Sequence, residues 1–311
     1  MGKKIACVGS FIVELTSRVD RLPLPGETLL SDNFKFGAGG KGSNQTVAVK
    51  RAGGNIIFMA KIGTDILSKI ARDHFHKEQI DEKYIVTDNE NPTGIALISV
   101  NKNTAENSIV LIPGACECLT NNDISLFMDE IKSCDIFLAQ LEANVDAVHE
   151  AVKIAFKNKK TIVINTAPAR VLPDDFLNKI TIVIPNEIEA SILTNIEIVD
   201  KKSTEKAAQA LYEKGIPYII ITLGKNGCYF FDGKYGEFID SIKVDTVDTT
   251  GAGDAFIGGL VTALSEDKSL MDSIKFATAT AALSTTKLGT AVAMPHRHEI
   301  DELVGKVYGL L

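Results

Sequence analysis

Two glycines and an aspartate begin an apolar helical pattern in the segment Asp248–Phe256, which reads DTTGAGDAF. Gly251 and Gly253 can form an anion-binding nest there, because unpaired backbone N–H groups and the helix dipole favour negative charge. Asp254 lies in the first predicted turn. A carboxylate beside such a nest can take the proton of an attacking hydroxyl while the nest stabilises a phosphoryl group in flight. Helix capping by Asp254 is the simpler alternative. Because a cap needs no flanking glycines, the pattern favours group transfer.

A second glycine-rich segment, Gly37–Asn44 (GAGGKGSN), runs into the predicted helix Ser43–Ala52. Its backbone N–H groups, with the side chains of Lys41 and Asn44, could bind the hydroxyl groups of a polyol. The string also matches G-x-G-x-x-G, which leaves a dinucleotide oxidoreductase as an alternative, although it follows an irregular segment instead of the first buried strand. It is not a P-loop, because Gly42 follows Lys41 where Ser or Thr is needed. A plain glycine-rich turn is the remaining alternative.

Two further polar segments each follow a predicted strand. Asn186 and Glu189, in Pro185–Glu189 (PNEIE), are three residues apart and suit hydrated Mg²⁺ with phosphate at the carboxyl end of a strand. An ordinary N-cap by Asn186 explains this segment equally well. The segment Thr222–Gly227 (TLGKNG) could bind phosphate or the edge of a nucleotide, or be only a turn.

These polar segments must be positioned by the secondary structure around them, which the sequence indicates as short apolar runs that alternate with helical patterns. β-Branched runs without polar alternation are typical of strands covered on both faces, so the sequence predicts an α/β fold with a mostly parallel sheet. The predicted strands are Ile5–Val8, Ile56–Ala60, Asp135–Leu141, Thr161–Asn165, Thr181–Ile184 and Tyr218–Thr222. The predicted helices, besides Ser43–Ala52, are Asp65–Gln79, Asn144–Lys157, Ser203–Lys214 and Ala252–Ala263.

Four segments break this rhythm because no helix separates them. They are Phe11–Val19, Asn33–Phe36, Gly94–Val100 and Ser108–Ile112. We expect them to form a small separate sheet that covers a pocket as a lid, with an extension of the main sheet edge as the alternative. No linker divides the chain, so we expect one domain over 1–311 with lid segments inserted at about 11–36 and 94–112.

The composition narrows the class of protein. The 311 residues carry a formal net charge of −7, which argues against nucleic-acid binding and gives no reason for membrane contact. No apolar run approaches the ~18 residues that a membrane helix needs. The five cysteines have no zinc-site spacing, and we expect reduced thiols in a cytoplasmic protein.

In this order, the motifs GAGGKGSNQ, PNEIE, TLGKNG and DTTGAGD, with Pro113–Ala115 and Asn165–Arg170 (NTAPAR), resemble the ribokinase family of sugar and nucleoside kinases over essentially the whole chain. The resemblance implies a three-layer α/β/α fold with a central, mostly parallel sheet and a small β-sheet lid. It implies ATP as phosphoryl donor, Mg²⁺, activation by a monovalent cation, and a homodimer that forms through the lid sheets. The acceptor would be a primary hydroxyl, O5, of a pentose such as ribose or 2-deoxyribose.

The resemblance also implies residue roles. Asp254 matches the catalytic base, and Gly251, Ala252 and Gly253 match the anion hole. The residues that match sugar-binding positions are Glu14, Gly39, Gly40, Lys41, Asn44, Glu142 and Asp254. Asn186, Thr222, Gly224 and Gly227 match nucleotide-binding positions, and Asn186 with Glu189 matches the motif that organises Mg²⁺ through water and phosphate. Asp248, Thr250, Ser284, Lys287 and Gly289 match the site for K⁺, whereas Ala293 stands where a serine is common.

One departure concerns the acceptor. Members of this family usually have Asn, one residue and then Asp shortly after the first Gly-Ser, whereas Ile12 and Glu14 follow Gly9-Ser10 here. Loss of the amide leaves a sugar hydroxyl without a partner, which predicts a preference for a sugar that lacks one hydroxyl, such as 2-deoxyribose. A nucleoside kinase of the same family, with Phe11 as the base platform, and a non-catalytic sugar-binding regulator are the alternative functions.

Overall fold

The computed structural model describes residues 2–31, 34–104 and 107–309. The strands are β1 (Lys4–Val8), β2 (Ile12–Val19), β3 (Phe34–Gly39), β4 (Asn55–Ile62), β5 (Ile85–Thr87), β6 (Gly94–Asn101), β7 (Asn107–Ile112), β8 (Ile136–Gln140), β9 (Thr161–Asn165), β10 (Ile182–Ile184), β11 (Tyr218–Thr222), β12 (Cys228–Phe231) and β13 (Gly236–Ile239). The α-helices are α1 (Lys41–Arg51), α2 (Ile66–Lys77), α3 (Asn121–Leu126), α4 (Met128–Ser133), α5 (Val145–Lys157), α6 (Asp174–Leu177), α7 (Glu187–Thr194), α8 (Lys201–Glu213), α9 (Ala252–Ser265), α10 (Leu270–Ser284) and α11 (Arg297–Tyr308). None of these helices is long and apolar enough to cross a membrane.

The main sheet has nine strands in the order β13-β12-β11-β10-β9-β8-β1-β4-β5. All pairings from β5 to β11 are parallel, and β12 and β13 are added through antiparallel pairings. The sheet is therefore mostly parallel, as the unalternated apolar runs predict. Because the strands run parallel, their carboxyl ends meet at one edge, where polar loop residues can converge.

Core side chains cover both faces of this sheet. Successive residues of a strand point to opposite faces. Ala6 and Val8 of β1 therefore belong to a cluster that includes residues of α5 and α8, whereas Ile5 and Cys7 belong to a cluster with residues of α1 and α9. Helices on both faces complete a three-layer α/β/α arrangement.

The second sheet contains the four strands that the sequence assigns to a lid, in the order β3-β2-β6-β7, and we call it the lid sheet. β2 pairs parallel with β6 and antiparallel with β3, and β6 and β7 form an antiparallel pair. The expected start of β3 at Asn33 lies outside the described residues. β3 continues to Gly39, so the start of the glycine-rich segment is strand and not turn.

Gly40 connects the lid sheet to α1. Its φ is 85°, and a Cβ there would lie 2.7 Å from the nitrogen of Ile12 and 2.9 Å from the oxygen of Ser10. Only glycine tolerates both the positive φ and this approach. The start of α1 is therefore fixed beside the loop that joins β1 to β2.

Candidate active site

A cavity of about 210 Å³ lies at the carboxyl ends of the parallel strands. Residues from both glycine-rich segments and from the loops after β9, β10 and β11 meet there. The lining residues are Lys41, Asn165, Ala167, Ile184, Asn186, Glu189, Thr222, Gly251, Gly253, Asp254 and Ile257. The sequence motifs thus converge although they are up to about two hundred residues apart.

The Asp254 carboxylate is buried at the bottom of this cavity, in the first turn of α9. Asn44 Nδ2 donates to one carboxylate oxygen at 3.0 Å, and Gln45 Nε2 donates to the other at 2.9 Å. Burial raises the pKa of Asp254, while the positive charge of Lys41 and the two amide donors act to lower it. The carboxylate is thus desolvated but fixed by donors, an arrangement that suits a proton acceptor.

The start of α9 provides an open anion site next to Asp254. Gly251 precedes the helix with a φ of 78°, in the left-handed region that favours glycine. A Cβ added to Gly253 would meet nothing within 4 Å, so the space above this residue is free for a ligand. Ala252 is the first residue of the helix, and the N–H groups of a first helical turn have no partner within the helix.

Lys41 lines the same cavity, and Glu142 contacts Lys41 without lining the cavity itself. The Lys41 N–H donates to Glu142 Oε2 at 2.8 Å, and the Ser10 hydroxyl donates to the same oxygen. Burial acts to lower the pKa of Lys41, but the carboxylates of Asp254 and Glu142, with that of Glu189, raise it above its ordinary value. The ammonium group is therefore charged within a ring of carboxylates.

Asn186 and Glu189 form a capping box at the start of α7, the alternative that the sequence left open. Asn186 Oδ1 accepts from the Glu189 N–H at 2.9 Å, and Glu189 Oε2 accepts from the Asn186 N–H at 3.1 Å. Thr166 Oγ1 also donates to Glu189, at 3.1 Å. Burial raises the pKa of Glu189. Both residues also line the cavity, so they can cap the helix and still take part in a binding site at the cavity wall.

The turn after β11 separates two cavities. Thr222 lines the small cavity, whereas Lys225 and Asn226 face a cavity of about 1070 Å³ that Phe238 and Tyr308 also line. Gly224 has a φ of 54° in this turn. Gly227 has a φ of 84°, and its Cβ would lie 1.9 Å from the Ile239 oxygen. Glycine is therefore required at position 227 for a structural reason, because a side chain there would prevent the turn from packing on β13.

Asp248 joins the loop before α9 to the loop after α10. Its Oδ1 accepts from the Thr250 hydroxyl at 2.7 Å, and its Oδ2 accepts from the Gly289 N–H at 3.1 Å. Ser284 and Lys287 do not add side chains to this group: the Ser284 hydroxyl donates to the Ala281 carbonyl, and Lys287 Nζ pairs with Glu299 at 2.8 Å. These two positions could contribute only their carbonyl groups.

Glu14 of the lid sheet reaches the same loop. Thr290 Oγ1 donates to Glu14 Oε2 at 3.0 Å, and a Cβ on Gly39 would lie 2.0 Å from Glu14 Oε1. The carboxylate therefore lies across the bare Cα of Gly39. Burial raises the pKa of Glu14 to about 7; Thr290 opposes this effect, and the charge of Asp254 adds to it.

We expect this raised pKa to make the stability of the ligand-free protein depend on pH. A carboxyl whose pKa is higher in the folded state contributes stability below its ordinary pKa, near 4.5, and the contribution is lost as the pH rises through about 7. Glu14→Gln should reduce the loss of unfolding free energy between pH 5 and pH 8 by up to about 3 kcal/mol. Urea unfolding at both pH values measures this, with the exposed Glu302→Gln as the matched control. Equal pH dependence in the two variants would contradict the expectation.

Four polar residues around the site escape sequence reasoning: Ser10, Gln45, Thr166 and Thr290. Gln45 bonds to Asp254 across 209 sequence positions, and Thr290 bonds to Glu14 across 276. Gln45, Thr166 and Ser10 lie inside segments that carry the family resemblance, which was the available signal, whereas Thr290 lies outside all of them.

Together, a three-layer α/β fold, a lid sheet, and a buried carboxylate beside an open helix start define a phosphotransferase that acts on a hydroxyl acceptor. Residues 2–297 match the family described as pfkB family carbohydrate kinase. The chain is 40% identical over 304 residues to the ribokinase of Haemophilus influenzae, with 98% of this chain and 99% of that protein covered. It is 32% identical over 299 residues to the deoxyribokinase of Salmonella typhimurium, with 96% and 97% covered.

Solved structures of ribokinases resemble this chain over nearly its whole length. The ribokinase of Thermotoga maritima matches with a TM-score of 0.88 at 31% identity, covering 97% of this chain and 99% of that chain. The Arabidopsis thaliana ribokinase complexed with ribose and ATP matches with a TM-score of 0.88 at 27% identity, covering 98% and 99%. The chain belongs to the pfkB family of carbohydrate kinases. It is therefore a sugar kinase, and the predicted family and fold are confirmed.

Proposed function

We propose that the protein is an ATP-dependent pentose kinase that phosphorylates the primary hydroxyl O5 of ribose or 2-deoxyribose. The observation that carries the proposal is the buried Asp254 carboxylate next to the free space above Gly253, in a cavity that Lys41 also lines. The relatives named ribokinase and deoxyribokinase, and the ribokinase structure with ribose and ATP, support the choice of pentose and donor.

The sugar would bind beneath the lid sheet, on Gly39 and Gly40, Lys41, Asn44, Glu14 and Glu142. Asp254 would accept the proton of O5 as that oxygen attacks the γ-phosphorus of ATP. The new O5–P bond forms as the bond to the β-phosphate oxygen breaks, and ADP leaves with the electron pair. The N–H groups of Gly251, Ala252 and Gly253 would stabilise the charge on the transferred group. Positioning and electrostatics would therefore supply most of the acceleration.

The nucleotide would occupy the larger cavity and point its phosphates past the turn of Gly224 and Gly227 toward Thr222 and Asn186. Lys225 and Asn226 line that cavity, so the turn between Thr222 and Gly227 would contact both the nucleotide and its phosphates. The volume of about 1070 Å³ is sufficient for a nucleotide.

The oxygen donors present also fit the expected cations. The carboxylate oxygens of Glu189 already accept hydrogen bonds from the N–H and Nδ2 of Asn186, so these residues would hold Mg²⁺ through water and phosphate, where it would neutralise phosphate charge. The Asp248 carboxylate, with the carbonyls of Thr250, Ser284, Lys287 and Gly289, would hold K⁺, which would keep the loop beside the anion hole ordered. Ala293 offers no side-chain oxygen to that set.

A coupled assay for ADP release tests the function directly. Purified protein is incubated with MgATP, with and without K⁺, and with ribose, 2-deoxyribose, fructose or adenosine. We expect turnover on a pentose with phosphate at O5, identified by NMR of the product. Turnover on adenosine alone would move the function to a nucleoside kinase, and ligand binding without turnover on the panel would favour a sugar-binding regulator. The match of residues 2–297 to a carbohydrate kinase family already argues against the oxidoreductase alternative.

We also propose that two copies associate through their lid sheets in the cytoplasm. On the outer face, Phe36, Leu15, Leu97 and Val110 lie opposite one another in register on the four strands. Phe36 is 55% exposed, Leu97 41% and Val110 58%. Leu15 is half-buried, and a row of mostly exposed apolar side chains across a whole sheet is typical of an interaction surface.

Leu97→Glu should therefore convert a dimer into a monomer, because it places a charge at the centre of this row. Sedimentation velocity measures the mass of both proteins. Leu126→Glu is the matched control, since Leu126 is 68% exposed on α3, outside the lid sheet, and should leave the mass unchanged. A monomeric wild-type protein would contradict the proposed dimer.

A further inference from the structure

We propose that Gln45 is a positioning residue that keeps Asp254 oriented and ionised through a chain of three buried amides. The proposal rests on the proposed role of Asp254 as the base that accepts the sugar proton. Gln45 lies on α1, one residue after Asn44, and its side chain is fully buried. It does not line the cavity that Asp254 lines.

The donor capacity of Gln45 is fully used. Its Nε2 donates to Asp254 Oδ1 at 2.9 Å and to Asn165 Oδ1 at 3.2 Å. An amide nitrogen has two hydrogens, so these two acceptors satisfy it. A hydrogen bond to an ionised carboxylate is stronger than one between neutral groups. Gln45 therefore favours the charged form of Asp254 at a site where burial favours the neutral form.

Two neighbouring amides fix which way the Gln45 amide faces. Gln140 Nε2 donates to Gln45 Oε1 at 2.6 Å, so the Gln45 oxygen is directed toward β8. Asn165 Nδ2 donates to the Ile184 carbonyl at 3.0 Å, which leaves Asn165 Oδ1 facing Gln45. A flipped Gln45 would bring its oxygen against the carboxylate of Asp254 and lose all three bonds. The chain thus connects α1, β8 and β9 to the start of α9.

A buried amide cluster can also be purely structural, and the two interpretations predict different kinetics. Because the Gln45 side chain is fully buried and both hydrogens of its Nε2 already have acceptors, an effect on chemistry must pass through the Asp254 carboxylate. The charged groups that face Asp254 are Lys41 from α1, Glu142 after β8, Glu189 from α7 and Glu14 from the lid sheet. None of them changes when Gln45 is replaced, so a shift in the pH profile reports the lost amide donor.

The test is the pH profile of kcat/KM for the pentose. Gln45→Met keeps the volume but removes the donor, so we expect the acidic limb to move up by about one pH unit. At pH values below the limb, kcat/KM of the variant should be about tenfold lower than that of wild type. At pH values above the limb, kcat should stay within a few-fold of wild type, and KM for the sugar should be unchanged. Gln140→Met, which frees the Gln45 oxygen but keeps both donors, should give a smaller shift in the same direction. The exposed Gln209→Met is the matched control.

The outcomes separate this inference from the function on which it rests. Because the pKa of Glu14 is also raised, to about 7, the pH profile of kcat/KM for Glu14→Gln shows how much Glu14 contributes to the acidic limb. An unmoved limb with lower kcat at every pH would make the amides purely structural and overturn the inference, while an inactive Asp254→Asn would still support the base. If Asp254→Asn stays active, the proposed base itself fails. If thermal unfolding shows that Gln45→Met does not fold, Gln140→Met carries the same test.

Discussion

Asp254→Asn is expected to lower kcat by about a thousandfold, the range that a positioned general base contributes. The replacement keeps the size of the side chain but removes the acceptor for the O5 proton. ATP and sugar should still bind within a few-fold of wild type, because the anion hole and the lid residues are unchanged. Single-turnover kinetics measures the chemical step, and calorimetry measures binding of each substrate.

The same change should leave stability nearly unchanged, because it removes a buried charge but also one of the two amide hydrogen bonds that the carboxylate accepts. Burial raises the pKa of Asp254, so the folded protein carries a desolvated carboxylate that a neutral amide does not impose. Thermal unfolding at pH 8 compares Asp254→Asn with Asp267→Asn, an exposed control whose ion pair with Lys3 lies at the surface. A kcat near the wild-type value would remove Asp254 from the role of base, whereas an unfolded variant would show that the carboxylate is structural.

Strand identity could be predicted from the sequence where a strand is covered on both faces. Thr161–Asn165 and Tyr218–Thr222 match β9 and β11 residue for residue, because a short apolar run without polar alternation is typical of a strand covered on both faces. The antiparallel extension by β12 and β13 was not predicted. Each of these strands has four residues, and the turn that leads into β12 requires glycine at position 227, because this residue packs closely against Ile239.

Some residues of the candidate site could likewise be proposed from the sequence, and others could not. Residues next to glycines, such as Lys41 and Asp254, could be proposed as site residues because the glycines signal a ligand. Gln45 and Thr290 could not, since their partners are more than two hundred positions away and neither residue type is distinctive alone. The pattern at Asn186 fitted both a helix cap and a site for Mg²⁺ and phosphate. The local sequence could not separate these two interpretations, because Asn186 and Glu189 form a capping box at the wall of the cavity.

Ile12 is the feature of the lid sheet that bears most directly on the choice of sugar. Its side chain is 1% exposed and lies over Gly94, where a Cβ would be 2.5 Å from Ile12 Cδ1. Ile12 and Glu14 share one face of β2, and Ile12 packs with Ala96 and Leu111. The lid sheet therefore has an apolar wall beside the Glu14 carboxylate, formed by a buried side chain that packs between the lid strands. A sugar hydroxyl against this wall would be desolvated without a partner, which costs about 1–3 kcal/mol.

The wild-type protein is accordingly expected to prefer 2-deoxyribose to ribose in kcat/KM. Ile12→Asn should shift that ratio toward ribose by about tenfold or more, because the amide can bond to the additional hydroxyl while the contact with the rest of the sugar is retained. Competition assays with both sugars measure the ratio in one reaction, and Ile12→Leu, which keeps the wall apolar, should leave it unchanged. A wild-type preference for ribose of more than tenfold would reject the role of Ile12, because the hydroxyl would then have a partner that the apolar wall cannot provide.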